Sequence, residues 1–421
     1  MSLIERDREY IWHPFDQMKG ADILPIIRGE GCYLYDENNK KYFDGFSSWW
    51  VNAHGHSNAY ITSRIYEQMQ QLEHVAFGGF THQPAIDLAE KIIEITPDNF
   101  KKVFFSDNGS TSTEVALKMS IQYWHNLGKR KDRFIAFEGA YHGDTFGSMC
   151  LTARGGFNEP FERFMFEVDF IPRPSIENKD EVIKLFKTLI EKGNVAAFIF
   201  EPLVQGASGM NIYDEDCLSE LIKLAKKEGV ITIADEVFTG FGRTGTWFAI
   251  DQIENKPDII CLSKAITGGF LPLGLTVVSK RIYDGFYSDN SSHTFLHGHS
   301  YTGSPLCCAA ANASIDLMSV NGFWDHVAKI SQRMEENIQK ISQIKTVRTA
   351  RSKGLVGAVE IDAGGESSYF NKSGKAIYKS LLKKGLILRP LGNVFAFVPP
   401  HCVKEDEIDW MFKQLREVIE G

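Results

Sequence analysis

Apolar and polar positions follow two patterns through the middle of the chain. Short apolar runs rich in β-branched residues predict buried strands, and stretches with apolar residues at helical spacing, each closed by a glycine, predict helices between them. The predicted strands lie at 101–109, 133–143, 195–203, 229–237, 257–264 and 274–280. The two clearest predicted helices lie at 180–193 and 216–229. This alternation is typical of an α/β fold with a mostly parallel central sheet and helices on both faces.

The pattern changes towards both ends of the chain. Residues 1–60 are irregular and rich in aromatic side chains, whereas after about residue 320 helices flank two apolar stretches at 354–363 and 385–400. We therefore expect three parts: an N-terminal segment, 1–60, that joins the small domain; a large domain, 61–320; and a smaller α+β domain, 321–421.

Composition limits the classes of partner. The 421 residues are 43% hydrophobic and 24% charged, which is typical of a globular protein with a sizeable core. A formal net charge of -8 without a block of like charges argues against a nucleic-acid surface and favours small-molecule substrates. No apolar run approaches the ~20 residues of a membrane span, and the first ten residues are too charged for a signal peptide. We expect a cytoplasmic protein that binds no membrane.

Cysteine and histidine spacing gives little support for a metal site. The cysteines form no C-x-x-C pair and are predicted to be buried thiols in a reducing compartment; they are Cys32, Cys150, Cys217, Cys261, Cys307, Cys308 and Cys402. Two histidine groups could suggest a metal, but no cysteine or carboxylate set completes a ligand count, so we predict no metal; they are His54 and His56, and His293, His297 and His299.

A lysine and an aspartate stand at the ends of two predicted strands. Lys264 follows an apolar run, and the small residues after it leave room for a ligand. Such a lysine most often closes a strand at the surface, and an aspartate such as Asp235 often caps a helix. In an open α/β sheet, however, ligands bind beyond the carboxyl ends of the strands. A buried lysine reacts with carbonyl carbons and a carboxylate can hold a protonated pyridine nitrogen, so the pair fits pyridoxal phosphate.

Residues after the first predicted strand could bind a phosphate. Gly109 and Ser110 stand where a helix begins, and backbone N–H groups at such a position can receive a phosphate, although most such starts are only caps. Thr111 and Glu114 have the spacing of a capping box.

Polar and aromatic residues also follow the second predicted strand. Tyr141 could stack on a planar ring, and His142 or Asp144 could orient that ring. Aromatic residues near strand ends are more often part of a core, so this feature gains weight only together with the lysine, the aspartate and the phosphate position.

These residues lie in segments that resemble the class III aminotransferases, which are fold type I enzymes that use pyridoxal 5'-phosphate and work as homodimers. The similarity runs from about residue 10 to residue 415 and is most specific in ITIADEVFTGFGRTG followed by PDIICLSKAITGGFLPLG. The resemblance to the branch that makes 7,8-diaminononanoate for biotin synthesis implies amino transfer to 8-amino-7-oxononanoate by a ping-pong mechanism. It rests on YIWHPFDQM, DGFSSWWVNAHGH, YHGDTFGSM, HGHSYTGSPLCCAAANAS and RPLGN.

The resemblance implies cofactor roles for the matching residues. Lys264 would bond covalently to the cofactor and move the substrate proton, Asp235 would keep the ring nitrogen protonated, and Tyr141 would stack on the ring. The implied phosphate-binding residues are Gly109 and Ser110 of the same chain, and His299 and Ser300 of the second subunit.

Substrate roles are implied in the same way. Trp49 would line the slot for the aliphatic chain of the oxo-acid, Gly298 would form its floor, and Arg389 would pair with substrate carboxylates, which its planar fork fits. The other expected substrate-binding residues are Phe15, Trp50, Tyr141 and Asp144.

Three departures bear on the reaction. Phe238 replaces a glutamine of many class III enzymes, and the diaminononanoate branch lacks that glutamine too. Phe15 and Ala396 replace tyrosines of familiar members that use S-adenosylmethionine and resemble members that take lysine. Both donors stay open, and we expect S-adenosylmethionine because it is the commoner donor in this branch.

Two other interpretations of the function remain open. Another class III transaminase, acting on ω-amino acids or amines, would share the same cofactor residues. A non-catalytic relative would be expected to have lost Lys264 or Asp235, and both are present.

Overall fold

The fold is that of a computed structural model, which describes residues 1–156, 158–362, 371 and 373–421. Ala363, the last residue of the predicted stretch 354–363, lies outside the described residues. The strands are β1 Ile26–Glu30, β2 Tyr33–Asp36, β3 Lys41–Asp44, β4 Phe100–Ser106, β5 Arg133–Phe137, β6 Val168–Ile171, β7 Val195–Phe200, β8 Val204–Gln205, β9 Asn211–Ile212, β10 Ile231–Asp235, β11 Ile259–Leu262, β12 Gly274–Ser279, β13 Val347–Lys353, β14 Val356–Ile361, β15 Leu386–Ile387, β16 Pro390–Leu391 and β17 Val394–Phe397.

The helices separate and cover these strands. They are α1 Leu3–Tyr10, α2 Ser47–Trp50, α3 Ala59–Gln71, α4 Gln83–Ile95, α5 Gly109–Asn126, α6 Phe146–Cys150, α7 Lys179–Ile190, α8 Glu215–Lys227, α9 Lys280–Asp284, α10 Pro305–Met318, α11 Phe323–Ile341, α12 Gly374–Lys383 and α13 Glu405–Glu420. Short 3₁₀ helices lie at Glu159–Phe164, Ala249–Gln252, Lys264–Thr267 and Ser291–His293.

The central sheet has the strand order β4-β12-β11-β10-β7-β5-β6. Its pairs from β11 through β6 are parallel, while β12 runs antiparallel to both of its neighbours, β11 and β4. Two antiparallel pairings restore the direction, so β4 runs the same way as β11. The carboxyl ends of β4, β5, β7, β10 and β11 therefore meet at one edge, where an α/β sheet binds its ligands.

Alternate residues of each central strand face opposite helix layers. In β11, Ile259 and Cys261 pack in the apolar cluster that contains α5, whereas Ile260 and Leu262 pack in the larger cluster that contains residues of α4, α7, α8 and α10. Both faces of the sheet are thus buried, as a largely parallel sheet requires. The predicted α/β class with helices on both faces is confirmed.

All six predicted strands are present; five agree within three residues at each end, whereas the prediction 133–143 continues six residues past the end of β5 at Phe137. The edge strand β6 was not predicted, because its four residues carry one charged and three apolar side chains without a usable period. The predicted helices correspond to α7 and α8, and the glycines after them, Gly193 and Gly229, have φ of 76° and 72°. Glycine adopts this left-handed conformation without the strain that a Cβ causes.

The N-terminal residues are more regular than expected. They contain α1 and the strands β1, β2 and β3, and β3 continues through a parallel pairing into β15 near the other end of the chain. A second sheet, β13-β14-β17-β16, packs with α11 and α13 around its own apolar cluster. The boundaries 1–60, 61–320 and 321–421 stay a prediction.

The described residues show no feature typical of a membrane span or of a metal site. No described helix has both the length and the apolar character needed to cross a membrane. The described part of the chain contains no group of three or more histidine, cysteine or acidic side chains arranged to hold a metal ion. The prediction that every cysteine is buried is wrong at two positions, because Cys402 is exposed and Cys307 is half-buried.

Candidate active site

The strand ends open into a cavity of about 490 Å³. Polar groups from these strand ends form one part of its wall, and aromatic side chains from the N-terminal part of the chain form another. The cavity residues that the sequence analysis singles out are Phe15, Trp49, Trp50, Gly109, Ser110, Tyr141, His142, Asp144, Asp235, Phe238 and Lys264.

Lys264 reaches the cavity just after β11 ends. Its φ of 47° lies in the left-handed region, which is uncommon for a residue with a Cβ and is found most often at functional sites. Its Nζ lies 4.9 Å from the centroid of the Trp50 ring and 5.8 Å from that of Phe238. Burial lowers the pKa of Lys264, and the charges of Asp235 and Glu201 oppose that shift. The amine is therefore more readily deprotonated than that of an exposed lysine.

The glycines after Lys264 allow close packing of the loop that carries the lysine. A Cβ on Gly269 would lie 3.1 Å from the backbone of Asn52, and a Cβ on Gly268 would lie 2.9 Å from Cδ1 of Ile61. Both glycines have positive φ, of 87° and 65°. They allow this loop to press against the segment around Asn52, and Gly269 also lines the cavity, so the interpretation that they leave room for a ligand stays a prediction.

Asp235, the last residue of β10, is buried and held by two donors. Nδ1 of His142 donates to its Oδ2 at 2.7 Å, and the backbone N–H of Val237 donates to its Oδ1 at 3.0 Å. Nε2 of the buried His142 has no hydrogen-bond partner among the described residues. Because the hydrogen bonds from His142 and Val237 fix the carboxylate in the cavity wall, Asp235 can present a negative charge at a defined point.

Glu201 completes this polar group and was missed by the sequence analysis. It follows β7 directly, and it accepts hydrogen bonds from the backbone N–H groups of Tyr141 at 3.1 Å and Gly206 at 2.8 Å. Burial raises its pKa to about 7, and the charge of Asp235 adds to that shift while His142 opposes it. The rule that selects Asp235 and Lys264, a polar residue at the end of a buried strand, would also have selected Glu201.

A chain of hydrogen bonds joins the loop after β5 to helix α5. The hydroxyl of Tyr141 donates to Oδ2 of Asp144 at 2.9 Å, and the backbone N–H of Asp144 donates to Oγ of Ser110 at 3.2 Å. Gly143 lies between them with a φ of 124°, and a Cβ there would lie 2.2 Å from Oγ of Ser110. Only glycine allows this approach, which sets Tyr141 beside the helix start.

Helix α5 points its N-terminus into the cavity through Gly109 and Ser110. Asn108 is its N-cap and forms a capping box with Thr111, so the predicted pairing of Thr111 with Glu114 is wrong. Glu114 instead accepts hydrogen bonds from the N–H groups of Gly147 at 2.6 Å and Ser148 at 3.1 Å. The first N–H groups of a helix have no partner within it and carry partial positive charge, so this end can receive an anion.

The two cavity tryptophans lie on a left-handed turn. The four residues of α2 have φ of 49°, 46°, 73° and 69°, although none is glycine. The turn is closed by hydrogen bonds from the N–H of Trp50 to the carbonyl of Phe46 at 2.9 Å, and from the N–H of Val51 to that of Ser47 at 3.0 Å. Left-handed residues with a Cβ each cost about 1–2 kcal/mol, so surrounding contacts must hold this turn.

The buried Arg243 is the main such contact. Its Nη2 donates to the carbonyls of Trp50 at 3.2 Å and Asn52 at 3.1 Å, and its Nη1 donates to that of Pro399 at 2.6 Å. Burial lowers its pKa to about 10, at which it remains a cation near neutral pH. Ser48 adds a bond from its hydroxyl to Oδ2 of Asp44 at 2.7 Å. Arg243 was not predicted from the sequence, because its role depends on contacts between distant segments.

The side chain of Trp49 packs against those of Phe15 and Arg389. The rings of Phe15 and Trp49 have centroids 5.4 Å apart, and Cζ of Arg389 lies 4.4 Å from the Trp49 centroid. Nη2 of Arg389 also lies 3.9 Å from Oδ2 of Asp16. Phe15 and Trp49 line the cavity, whereas Arg389 is outside the described lining residues and borders it through Trp49.

The remaining predicted site residues lie outside the cavity lining that the structure describes. Gly298 and Ser300 are exposed, and Nε2 of the half-buried His299 lies 3.8 Å from Oδ1 of Asp107, a cavity residue of the same chain. Ala396 is fully buried in β17, where it pairs with Ala358. The described cavity lining does not include Ala396, and its bearing on the amino donor stays a prediction.

Comparison with known proteins defines the class of this enzyme. The sequence profile of the family Aminotransferase class-III matches residues 16–419. The chain belongs to this family and is an aminotransferase.

Individual relatives match over nearly their full length. An adenosylmethionine-8-amino-7-oxononanoate aminotransferase of Synechococcus elongatus is 43% identical over 98% of both chains, and one of Staphylococcus aureus is 38% identical over 99% of this chain and 97% of its own. A crystal structure of the protein of that name from Methanocaldococcus jannaschii is 36% identical, with a TM-score of 0.94 over 99% and 98% of the two chains. The ω-transaminase of Pseudomonas jessenii in complex with PMP is 28% identical, with a TM-score of 0.93 over 100% and 98%.

Proposed function

We propose that the protein transfers an amino group to 8-amino-7-oxononanoate to give 7,8-diaminononanoate in biotin biosynthesis, with S-adenosylmethionine as donor. The observation that carries this proposal is the placement of Lys264 and Asp235 at adjacent strand ends of one cavity. The names of the full-length relatives supply the substrates.

The cavity residues fit pyridoxal 5'-phosphate, with which class III aminotransferases work. Lys264 offers an amine with a lowered pKa for the aldehyde carbon, and Asp235 offers a fixed carboxylate for the ring nitrogen. Gly109 and Ser110 offer the N-terminus of α5 for the phosphate, and Tyr141 offers an aromatic face for the ring. We infer these roles from the positions and chemistry of the groups.

The bound cofactor supplies an electron sink for the charge that develops on a substrate carbon when it loses its proton. Lys264 would hold the cofactor, and its freed Nζ would take the proton from the donor carbon in the first half-reaction and deliver a proton to the acceptor carbon in the second. Its lowered pKa favours the neutral form that a base requires. Asp235 stabilises a protonated ring nitrogen, and His142 keeps the carboxylate in place. Both half-reactions would use the same lysine and the same cavity, so the donor product would leave before the acceptor binds, which is a ping-pong sequence.

The aromatic wall suits an aliphatic oxo-acid. Phe15, Trp49 and Trp50 present apolar faces on which a methylene chain can pack. Arg389 behind Trp49 is the proposed carboxylate anchor, and Tyr141 and Asp144 are proposed contacts for the polar end of the substrate. Gly298 is proposed to form the slot floor across the subunit boundary.

We also propose that the enzyme is a cytoplasmic homodimer in which His299 and Ser300 of one subunit reach the phosphate site of the other. Its support is the exposure of this segment, in which the side chains of Leu296 and Tyr301 are 85% and 68% exposed. Large exposed apolar groups close together are typical of a protein interface.

The amino donor is tested by half-reaction spectroscopy. The purified pyridoxal form is mixed with S-adenosylmethionine or with lysine, and the cofactor absorption band reports conversion to the amine form. We expect conversion by S-adenosylmethionine; conversion by lysine alone would assign the second donor. Regeneration by 8-amino-7-oxononanoate, but not by aldehydes of simple ω-amines, separates the proposal from a general ω-transaminase, which the P. jessenii likeness would favour.

A further inference from the structure

Two cysteines from opposite ends of the chain meet outside the cavity. Cys32 lies just before β2 and Cys402 lies between β17 and α13, 370 residues apart in sequence, yet their Sγ atoms are 3.5 Å apart. A disulfide bond is about 2.05 Å long, so the two sulfur atoms would have to approach each other by roughly 1.5 Å to form one.

The backbone on both sides of the pair is fixed by hydrogen bonds. The carbonyl of Cys32 accepts from the N–H of Asp44 at 2.8 Å, and the neighbouring Gly31 pairs with His56. On the other side, the N–H of His401 donates to the carbonyl of Ala53 at 2.7 Å. The distance between the thiols is therefore a property of the fold, not of one mobile loop.

The two cysteine residues differ in solvent exposure, and the contact between their thiols shifts their pKa values in opposite directions. Cys402 is exposed as a residue, whereas Cys32 is 4% exposed. The Cys32 thiol directed at Cys402 lowers the pKa of Cys402, and the pKa of Cys32 is raised by that same contact and by burial. In each of the other cysteines burial raises the pKa; these are Cys150, Cys217, Cys261, Cys307 and Cys308.

We propose that Cys32 and Cys402 form an oxidation site that a low-molecular-weight disulfide converts into an intramolecular disulfide. The Cys402 thiolate attacks one sulfur of the reagent, forms a mixed disulfide and releases one thiol. The Cys32 sulfur, after losing its proton to solvent, attacks Sγ of Cys402 and releases the second thiol. Two protein thiols lose two electrons, and one reagent disulfide gains them.

The bond would join the N-terminal sheet to the loop before α13. Sγ of Cys402 also packs on Gly55, where a Cβ would lie only 2.9 Å away. Within the segment between Trp50 and His56, Gly55 thus contacts Cys402, and Ala53 accepts a hydrogen bond from His401. We expect the oxidised protein to keep its fold and to resist unfolding better than the reduced protein, since the cross-link restricts the unfolded chain.

The experiment treats the full-length protein with glutathione disulfide and maps the product by non-reducing digestion and mass spectrometry. We expect a Cys32–Cys402 linked peptide and loss of two hydrogens from the intact mass. Cys402→Ser should abolish the link, Cys32→Ser should stop the reaction at a mixed disulfide on Cys402, and Cys307→Ser, the matched control at the other incompletely buried thiol, should leave it unchanged.

Unfolding gives a second measurement that needs no enzyme activity, so it is independent of the proposed function. The urea midpoint of the oxidised wild type should rise above that of the reduced protein, and treated Cys402→Ser should show no rise. A persistent mixed disulfide in the wild type, links between other cysteines or between chains, an absence of oxidation, or a lowered midpoint would each overturn the proposal.

Discussion

Three ionisable side chains that end neighbouring strands share one wall of the cavity. Lys264, Asp235 and Glu201 come from β11, β10 and β7, and their charges act on one another. Burial favours the neutral form of both Lys264 and Glu201, while Asp235 is held by His142. At the residue scale the site therefore combines one fixed negative charge with two groups that lose their charge readily.

Replacement of Lys264 by alanine is expected to lower turnover at least ~10³-fold, because both the covalent anchor and the proton carrier are lost. The measurement is steady-state transamination together with the visible spectrum of the bound cofactor. Lys280→Ala, which removes an exposed lysine of α9, is the control and should retain full activity. Full turnover by the Lys264 variant would contradict the mechanism.

The raised pKa of Glu201 predicts that the free energy of unfolding depends on pH. Its pKa is raised by burial to about 7, above the ordinary value of 4.5. The folded state therefore binds its proton more tightly than the unfolded state, and this contribution is present at low pH and lost as pH rises through 7. Relative to Glu201→Gln, the wild type should lose on the order of 2–3 kcal/mol of unfolding free energy between pH 5 and pH 8.

Urea unfolding of the cofactor-free protein at several pH values measures this difference. The comparison uses the change with pH rather than the absolute stability, because glutamine also alters the hydrogen bonds with Tyr141 and Gly206. Glu254→Gln removes an exposed carboxylate and is the matched control. A constant difference between wild type and Glu201→Gln across this range would show that Glu201 does not hold its proton in the fold.

At the scale of elements, strands were more predictable than turns. Six of the seven strands of the central sheet carry their signal in local apolar runs and were predicted, whereas β6 was not. The left-handed turn Ser47–Trp50 contains no glycine or asparagine, the residues that usually indicate such a turn, so local sequence could not predict it. Similarly, Thr111 forms its capping box with Asn108 and not with the predicted Glu114, because Glu114 accepts hydrogen bonds from N–H groups of α6. Contacts between distant segments decide both cases.

Arg243 is expected to position the tryptophans through this turn. Arg243→Met removes three hydrogen bonds to carbonyls, including those of Trp50 and Asn52, and should destabilise the fold by about 3 kcal/mol or more. It should also raise the KM for 8-amino-7-oxononanoate, because the strained turn relaxes and moves the aromatic wall.

Arg351→Met separates positioning from general stability. Arg351 also donates to two backbone carbonyls, those of Gly209 and Met210, but it does not contact the turn. It should lower the urea midpoint while leaving the KM near the wild-type value. Equal effects of both variants on the KM would assign Arg243 a purely structural role.

At the scale of the whole molecule, pairing between chain ends was the least predictable feature. The aromatic N-terminal residues were expected to be irregular, yet β3 joins β15 across more than 300 residues. No local pattern specifies which strand a short strand will pair with, because register and partner depend on the assembled core. The domain boundaries, which depend on such contacts, remain a prediction for the same reason.

The proposed sharing of sites between subunits predicts complementation. Ser300→Glu places a negative charge where a partner's phosphate is proposed to lie, so its homodimer should be nearly inactive, as should that of Lys264→Ala. After denaturation and refolding of an equal mixture, half of the dimers should be hybrids, each with one site that has both Lys264 and Ser300. Activity should then recover to about a quarter of the wild-type value per chain.

Ser292→Glu, at another exposed serine, tests whether the added charge acts locally. No recovery in the mixture, with hybrids demonstrated by mass spectrometry, would show that Ser300 serves its own chain or none.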